Sequence, residues 1–304
     1  MLATLDSELA SRAAALGKQL GTDFPRMAAV RELERQYASP EGLQDTDKCT
    51  ATVILSAYAQ WLEAFAILAH EQLAPEDCWR VLRMADVLSC FVYDDMLIGT
   101  FDTFHNVPRS YRPEAAEGYG YSAEIMDYAQ KKMAVLEQEG EVYLLAGYRR
   151  HHAVGRITRY DNGRYGYTEF NAGAEATPVT PIPGCVLGEE THYVREGADI
   201  PRFIRTLAEK KLRIRSDEGF PVLNAEKAAA LEDAVVSCRE VSKQRGNECA
   251  SLSTRLMLEE ALGEGTMRAF ADFVTGAQLQ SGKELGEALR RAVGEEARFP
   301  RGMT

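Results

Sequence analysis

Six cysteines and five histidines are the residues of this 304-residue chain best suited to covalent chemistry. A thiol attacks a carbonyl carbon as its thiolate, which is favoured by a neighbouring imidazolium and by the positive end of a helix dipole. His151 and His152 stand together at the head of the segment HHAVGRITRYDNGRYGYTEFNAG. Asp161-Asn162-Gly163 is a strong turn signal between two β-prone runs, so the segment reads as a hairpin preceded by a further β-prone run over 142–148. Side chains alternate along a strand, which puts Tyr167, Glu169 and Asn171 on one face of the second arm. Either Glu169 or Asn171 can then reach back to an imidazole on the first arm, the pairing by which hydrolases orient a catalytic base. Adjacent histidines on a strand point to opposite faces, so only one of the two can serve.

Two thiols are placed to partner that base. Cys49 opens a long apolar run that reads as a buried helix, with Asp45 or Thr46 as its cap and Gln44 five residues upstream, where an amide N–H can help to hold an oxyanion. This arrangement makes Cys49 the nucleophile, His152 the base, Asn171 or Glu169 the orienter and Gln44 the oxyanion donor. Cys249 is the competing thiol. The run before Cys249 keeps a helical period through Leu231, Ala234, Val235, Cys238 and Val241, and this favours Cys49. Cys78, Cys90 and Cys238 read as small buried hydrophobes.

The order Gln44, Cys49, His152-Ala153-Val154 and then Asn171 resembles that of papain-like cysteine hydrolases. Glu169-Phe170-Asn171-Ala172-Gly173 at the strand end is most similar to bacterial effector proteases of the YopT type. That resemblance implies an α+β papain-like domain in which a thiolate attacks an amide, cleaving a host protein or deamidating a glutamine, in a protein delivered into a host cell. A second, weaker resemblance links the segment from Lys243 through Gln244 to Cys249 with the Ulp and YopJ families, and it implies Cys249 as nucleophile, His151 as base, Gln244 upstream and Glu169 or Asn171 as the acid or its substitute. It implies deubiquitination, deSUMOylation or acetyl transfer through Cys249. The same fold with a decayed site would be a protein-binding module.

The elements that must position these groups follow from periodicity. Helices are expected over 4–20, 24–37, 51–68, 76–92 and 122–137, with a long aromatic loop over 101–121. Thr52, Ser56, Gln60 and Glu63 form the one polar stripe of the 51–68 helix. After the hairpin come the extended TPVTPIPG, a helix over 198–212, and a helical unit from 225 onward broken at Gly263, Gly265, Gly276 and Gly282. The organisation expected is therefore N-terminal helices over 1–40, an α+β catalytic domain over 41–215 and a helical C-terminal domain over 216–304.

Composition narrows the classes. With a net charge of −11 and a pI near 5.1, the chain would be repelled by nucleic acid and by anionic membranes, so neither is an expected partner, whereas a protein substrate is. The cysteines are scattered without a CxxC pair, which points to reduced thiols in a cytosol. No basic-then-apolar leader opens the chain, so any export is expected by a route without a cleavable signal. Gln60 and Glu63 argue against a membrane span over 51–68. Asp94, Asp95 and Asp102 lack metal-ligand spacing and read as a solvated acidic turn. With no GxSxG, Walker or dinucleotide-binding pattern, no metal and no cofactor are expected.

Overall fold

The structure, a computed structural model, describes residues 2–38, 51–105, 120–148, 151–171, 185–212, 219–242, 249–276 and 282–292. Its mixture of helices with a five-stranded antiparallel sheet is the expected α+β class. The chain divides into two compact units, one formed by 1–92 with 258–304 and the other by 93–257.

The first unit is helical. The two helices expected over the first forty residues are one, α1 (Leu2–Ala38). Helix α2 (Ala51–Leu68) is apolar on most sides, and its polar stripe is answered within the protein. There Glu63 accepts from Arg12 of α1 at 3.1 Å, and Arg12 also forks onto Asp86 of α3 (Pro75–His105) at 2.7 and 2.8 Å. Trp61 donates its indole N–H to the Met27 carbonyl at 2.8 Å and meets Phe273 edge-on. No helix among the described residues is long and apolar enough to cross a membrane.

The second unit is built on a meander, β1 (Glu141–Tyr148), β2 (His151–Arg159), β3 (Tyr165–Phe170), β4 (Cys185–Val194) and β5 (Leu231–Ser242), ordered in space as in sequence. The expected hairpin is present. Tyr160 and Arg164 close its turn, the Arg164 N–H donates to Asn162 Oδ1, and the register runs from Arg159↔Tyr165 to Val154↔Phe170. Paired residues share a face, so Val142, Leu144, Ile157 and Tyr167 point the same way. Against them pack Tyr128 and Leu136 of α4 (Gly120–Glu139) and Phe203, Ile204 and Leu207 of α5 (Ile200–Leu212). Helix α6 (Gly219–Ala230) lies against α5, joined to it by Arg202–Glu226 at 3.0 Å.

Several expectations are corrected. The segment over 231–242, expected as helix, is β5, and Cys238 on it is exposed rather than core, as is Cys90. Strand β4, which the sequence reading lacked, pairs with β5 through register shifts near Leu187, Thr191 and His192. Asp94, expected in a solvated turn, lies on α3, buried, and pairs with Lys132 of α4 at 2.8 Å. Among the described residues no cluster of His, Cys, Asp or Glu could hold a metal ion. Helix α7 (Cys249–Gly276) is interrupted at Gly263, where a break was expected, and α8 (Gly282–Ala292) follows.

Candidate active site

At the end of the sheet face that carries Tyr167, alternation continues through Glu169 to Asn171 and brings the asparagine level with the start of β2. There the amide accepts from a ring nitrogen: His151 Nε2 lies 2.9 Å from Asn171 Oδ1. The same imidazole is coupled electrostatically to Cys249, the first residue of α7, and Nδ1 is the ring nitrogen that Asn171 leaves for it. The peptide next to His151 holds the sulfur from a second direction, because the His152 N–H donates to Cys249 Sγ at 3.4 Å. One turn along α7, Ser253 Oγ donates to the His152 carbonyl at 3.2 Å, so the backbone of His152 is held through both its N–H and its carbonyl. Cys249, His151 and Asn171 all belong to the unit over 93–257.

The electrostatics favour a charged pair. Burial alone would raise the Cys249 thiol, but hydrogen bonds from the His151 ring and the His152 N–H, with the nearby charges of His151 and Lys211, bring it below its ordinary value. Burial alone would lower His151, and Cys249 and Asn171 outweigh it, so the imidazole is raised. Both shifts move the pair in the direction of thiolate and imidazolium. The position of Cys249 at a helix N-terminus adds the positive end of the α7 dipole on the same side.

Around the pair stands a layer that the sequence reading only partly identified. Glu169 does not reach the imidazole. Its Oε1 accepts from Asn171 Nδ2 at 3.3 Å, and its Oε2 accepts from Tyr167 Oη at 2.9 Å and from Lys227 Nζ of α6. Burial would push this carboxyl up, yet Lys227, Lys210 and the two hydrogen bonds hold it down at about 2. Lys211 Nζ donates to the His151 carbonyl at 2.9 Å. The Tyr148 ring lies 5.0 Å from the imidazole and is itself backed edge-on by Phe220. Lys211 and Lys227 escaped notice, although each leaves a signal: both fall on the apolar stripe of an amphipathic helix, Lys211 after Phe203, Ile204 and Leu207, and Lys227 after Phe220 and Leu223. A lysine on a buried stripe marks a partner inside the protein.

The strand turn also needs a particular backbone. Gly147 has φ of 92°, and a Cβ there would come within 2.7 Å of the His151 carbonyl oxygen. Only glycine allows β1 to approach the start of β2 so closely.

The remaining expected residues are placed differently. His152 points to the other face of the sheet, so neither Asn171 nor Glu169 can orient it. Its ring is buried, with neither nitrogen hydrogen-bonded among the described residues. Burial, followed by the charges of Lys211 and His151, holds it well below the ordinary histidine value. Cys49, Gln44 and Gln244 lie outside the described residues, as does most of the aromatic loop expected over 101–121.

No family model matches the chain, and no curated protein matches it. Among solved structures the chain is similar to the Legionella effector AnkH, at 10% identity and a TM-score of 0.48, covering 91% of this chain and 54% of that one. The chain thus spans about half the length of that protein. The papain-like and YopT-type resemblance is withdrawn, since no family model and no curated protein of that kind matches the chain. The geometry agrees, because the sulfur beside His151 comes after the histidine and the asparagine in chain order, not before them. With no matching family model, the Ulp and YopJ likeness is withdrawn as well.

Proposed function

We propose that this protein is a cysteine-dependent acyl-transfer enzyme, in the first instance a hydrolase of amide bonds in a protein substrate, with Cys249 as nucleophile and His151 as acid and base. The observation that supports this most directly is the single imidazole held between Asn171 and the sulfur at the head of α7. In this reading the Cys249 thiolate attacks the carbonyl carbon, and the carbonyl oxygen takes up the negative charge. First-turn amides of α7, which have no intrahelical acceptor, are the nearest donors for it. The His151 imidazolium then protonates the leaving nitrogen as the C–N bond breaks, leaving a thioester on Cys249. Neutral His151 next removes a proton from water, whose oxygen attacks the thioester and releases the acid and the thiol. Asn171 keeps the ring in one orientation through both halves.

The test is alkylation of the intact chain with iodoacetamide near neutral pH, followed by peptide mapping. Cys249 is expected to react at least about tenfold faster than Cys78, Cys90 and Cys238, and the excess is expected to vanish in His151→Ala. Uniform slow labelling of all four would overturn the proposal and leave a binding protein. Rapid labelling of Cys49 alone would move the nucleophile.

A further inference from the structure

Asn171 can present either end of its amide to His151, and the two ends have opposite consequences. With Oδ1 toward the ring, Nε2 must carry a proton and Nδ1 is the nitrogen that exchanges a proton with sulfur. With Nδ2 toward the ring, Nε2 must be an acceptor, and a neutral ring would carry its proton on Nδ1, where it would be useless as a base toward the thiol. Nothing in Asn171 itself decides between these states. Glu169 does, because an ionised carboxylate only accepts, and Oε1 lies 3.3 Å from Asn171 Nδ2.

We infer that Glu169 is a positioning residue that fixes the tautomer of His151 without touching it, by holding the Asn171 amide in the one orientation that leaves Nδ1 free for Cys249. Three features of the structure suit it to that role. It sits two residues before Asn171 on the same strand face, so its reach to Nδ2 is built into the pleat. Its other oxygen is fully engaged by Tyr167 Oη and Lys227 Nζ, which prevents the carboxylate from turning away. Lys227 also keeps the group ionised, since a protonated carboxyl could donate to Asn171 and would tolerate the flipped amide. Tyr167 is fixed in turn by an edge-on contact with Phe203 of α5 and by Gly155 beneath its ring, where any Cβ would stand 2.9 Å from Cε2. The polarity of the site thus descends from a lysine on α6, through a carboxylate and an amide, to the imidazole.

The inference rests on the proposed chemistry for its purpose but can be read without it. In Cys249→Ala, at a pH where imidazole is neutral, the 15N shifts of His151 report the tautomer directly. The expected result is Nε2–H in this background and a mixture of Nε2–H and Nδ1–H after Glu169→Gln with Lys227→Met, a pair of changes that removes both members of the Lys227–Glu169 ion pair together. In chains that keep Cys249, the same double change is expected to move the alkylation pH profile of Cys249 upward by about one unit, a tenfold loss of rate on the acid side. Nδ1–H in the Cys249→Ala protein overturns the inference whatever the variants do, and so does an unchanged tautomer and pH profile in the double variant. If Cys249 has ordinary thiol reactivity while His151 shows the expected Nε2–H, the enzymatic reading fails and the positioning role of Glu169 stands.

Discussion

His152 makes the stability of the 93–257 unit sensitive to mild acid in a way that can be separated from every other histidine. Its ring is 2% exposed, neither nitrogen has a hydrogen-bond partner among the described residues, and its cationic neighbours are Lys211 and His151. The folded protein therefore keeps it neutral well below pH 6.5, the ordinary histidine value, whereas the unfolded chain protonates it there. A group whose folded pKa is depressed binds fewer protons folded than unfolded below that value, so stability falls as pH falls. The loss is about 1 kcal/mol between pH 6.5 and 5.5, and about 1.4 kcal/mol for each further unit until the folded value is reached. His151 does not mask this. Its pKa is raised, so its stabilising contribution is complete below 6.5 and declines only as pH rises through its folded value. Glu169, held at about 2, begins to cost stability only as pH drops through 4.5. His152→Leu should remove this contribution, from pH 6.5 down to the folded value of His152, and the other histidines cancel in the difference between the two proteins. Both tryptophans, Trp61 and Trp79, lie in the other unit, so their fluorescence does not report the transition. Hydrogen exchange of the slowest β2 amides does. Equal acid slopes for the two proteins would refute the reasoning.

Two further substitutions follow from the same geometry. Lys211→Met removes a cation that lowers both Cys249 and His151, so both groups should titrate higher, the thiol by its alkylation profile and the imidazole by NMR; movement in opposite directions would contradict the assigned cause. Gly155→Ala places a Cβ against the Tyr167 ring and should destabilise the unit by about 1–3 kcal/mol, with weakened Tyr167–Glu169 contact, as read by exchange of β3 amides and by the His151 tautomer.

The part of the site carried by the hairpin was legible because its signals are local. A turn tripeptide fixes the connection and a period of two fixes the faces, but the sequence reading paired Asn171 with His152, and only the register shows that it is His151 that shares its face. The thiol beside His151 was harder to identify because the argument against Cys249 depended on a helix over 231–242. That segment is a strand whose partner shifts register repeatedly along β4. Each irregularity resets the alternation of faces, so Leu231, Val235 and Cys238 fall by accident at helical intervals, and burial does not alternate along it either. The β-branched Val235, Val236 and Val241 were the signal that pointed the other way. The lysines were missed for a different reason: a charge counted as surface was in fact placed inside to meet a buried carboxylate or carbonyl.

The order in which the triad is written along the chain has a developmental consequence. The imidazole and its amide are 20 residues apart and close through a hairpin, a contact that costs little loop entropy and forms early. The sulfur meets the β2 backbone across 97 residues, and that closure is reached only when β4, α5, α6 and β5 are in place. The imidazole and its amide are therefore synthesised, and can close, before the segment that carries Cys249 has been made. The shifts of Cys249 and His151 are set by that long-range closure, so the thiol is an ordinary one until the unit over 93–257 has folded.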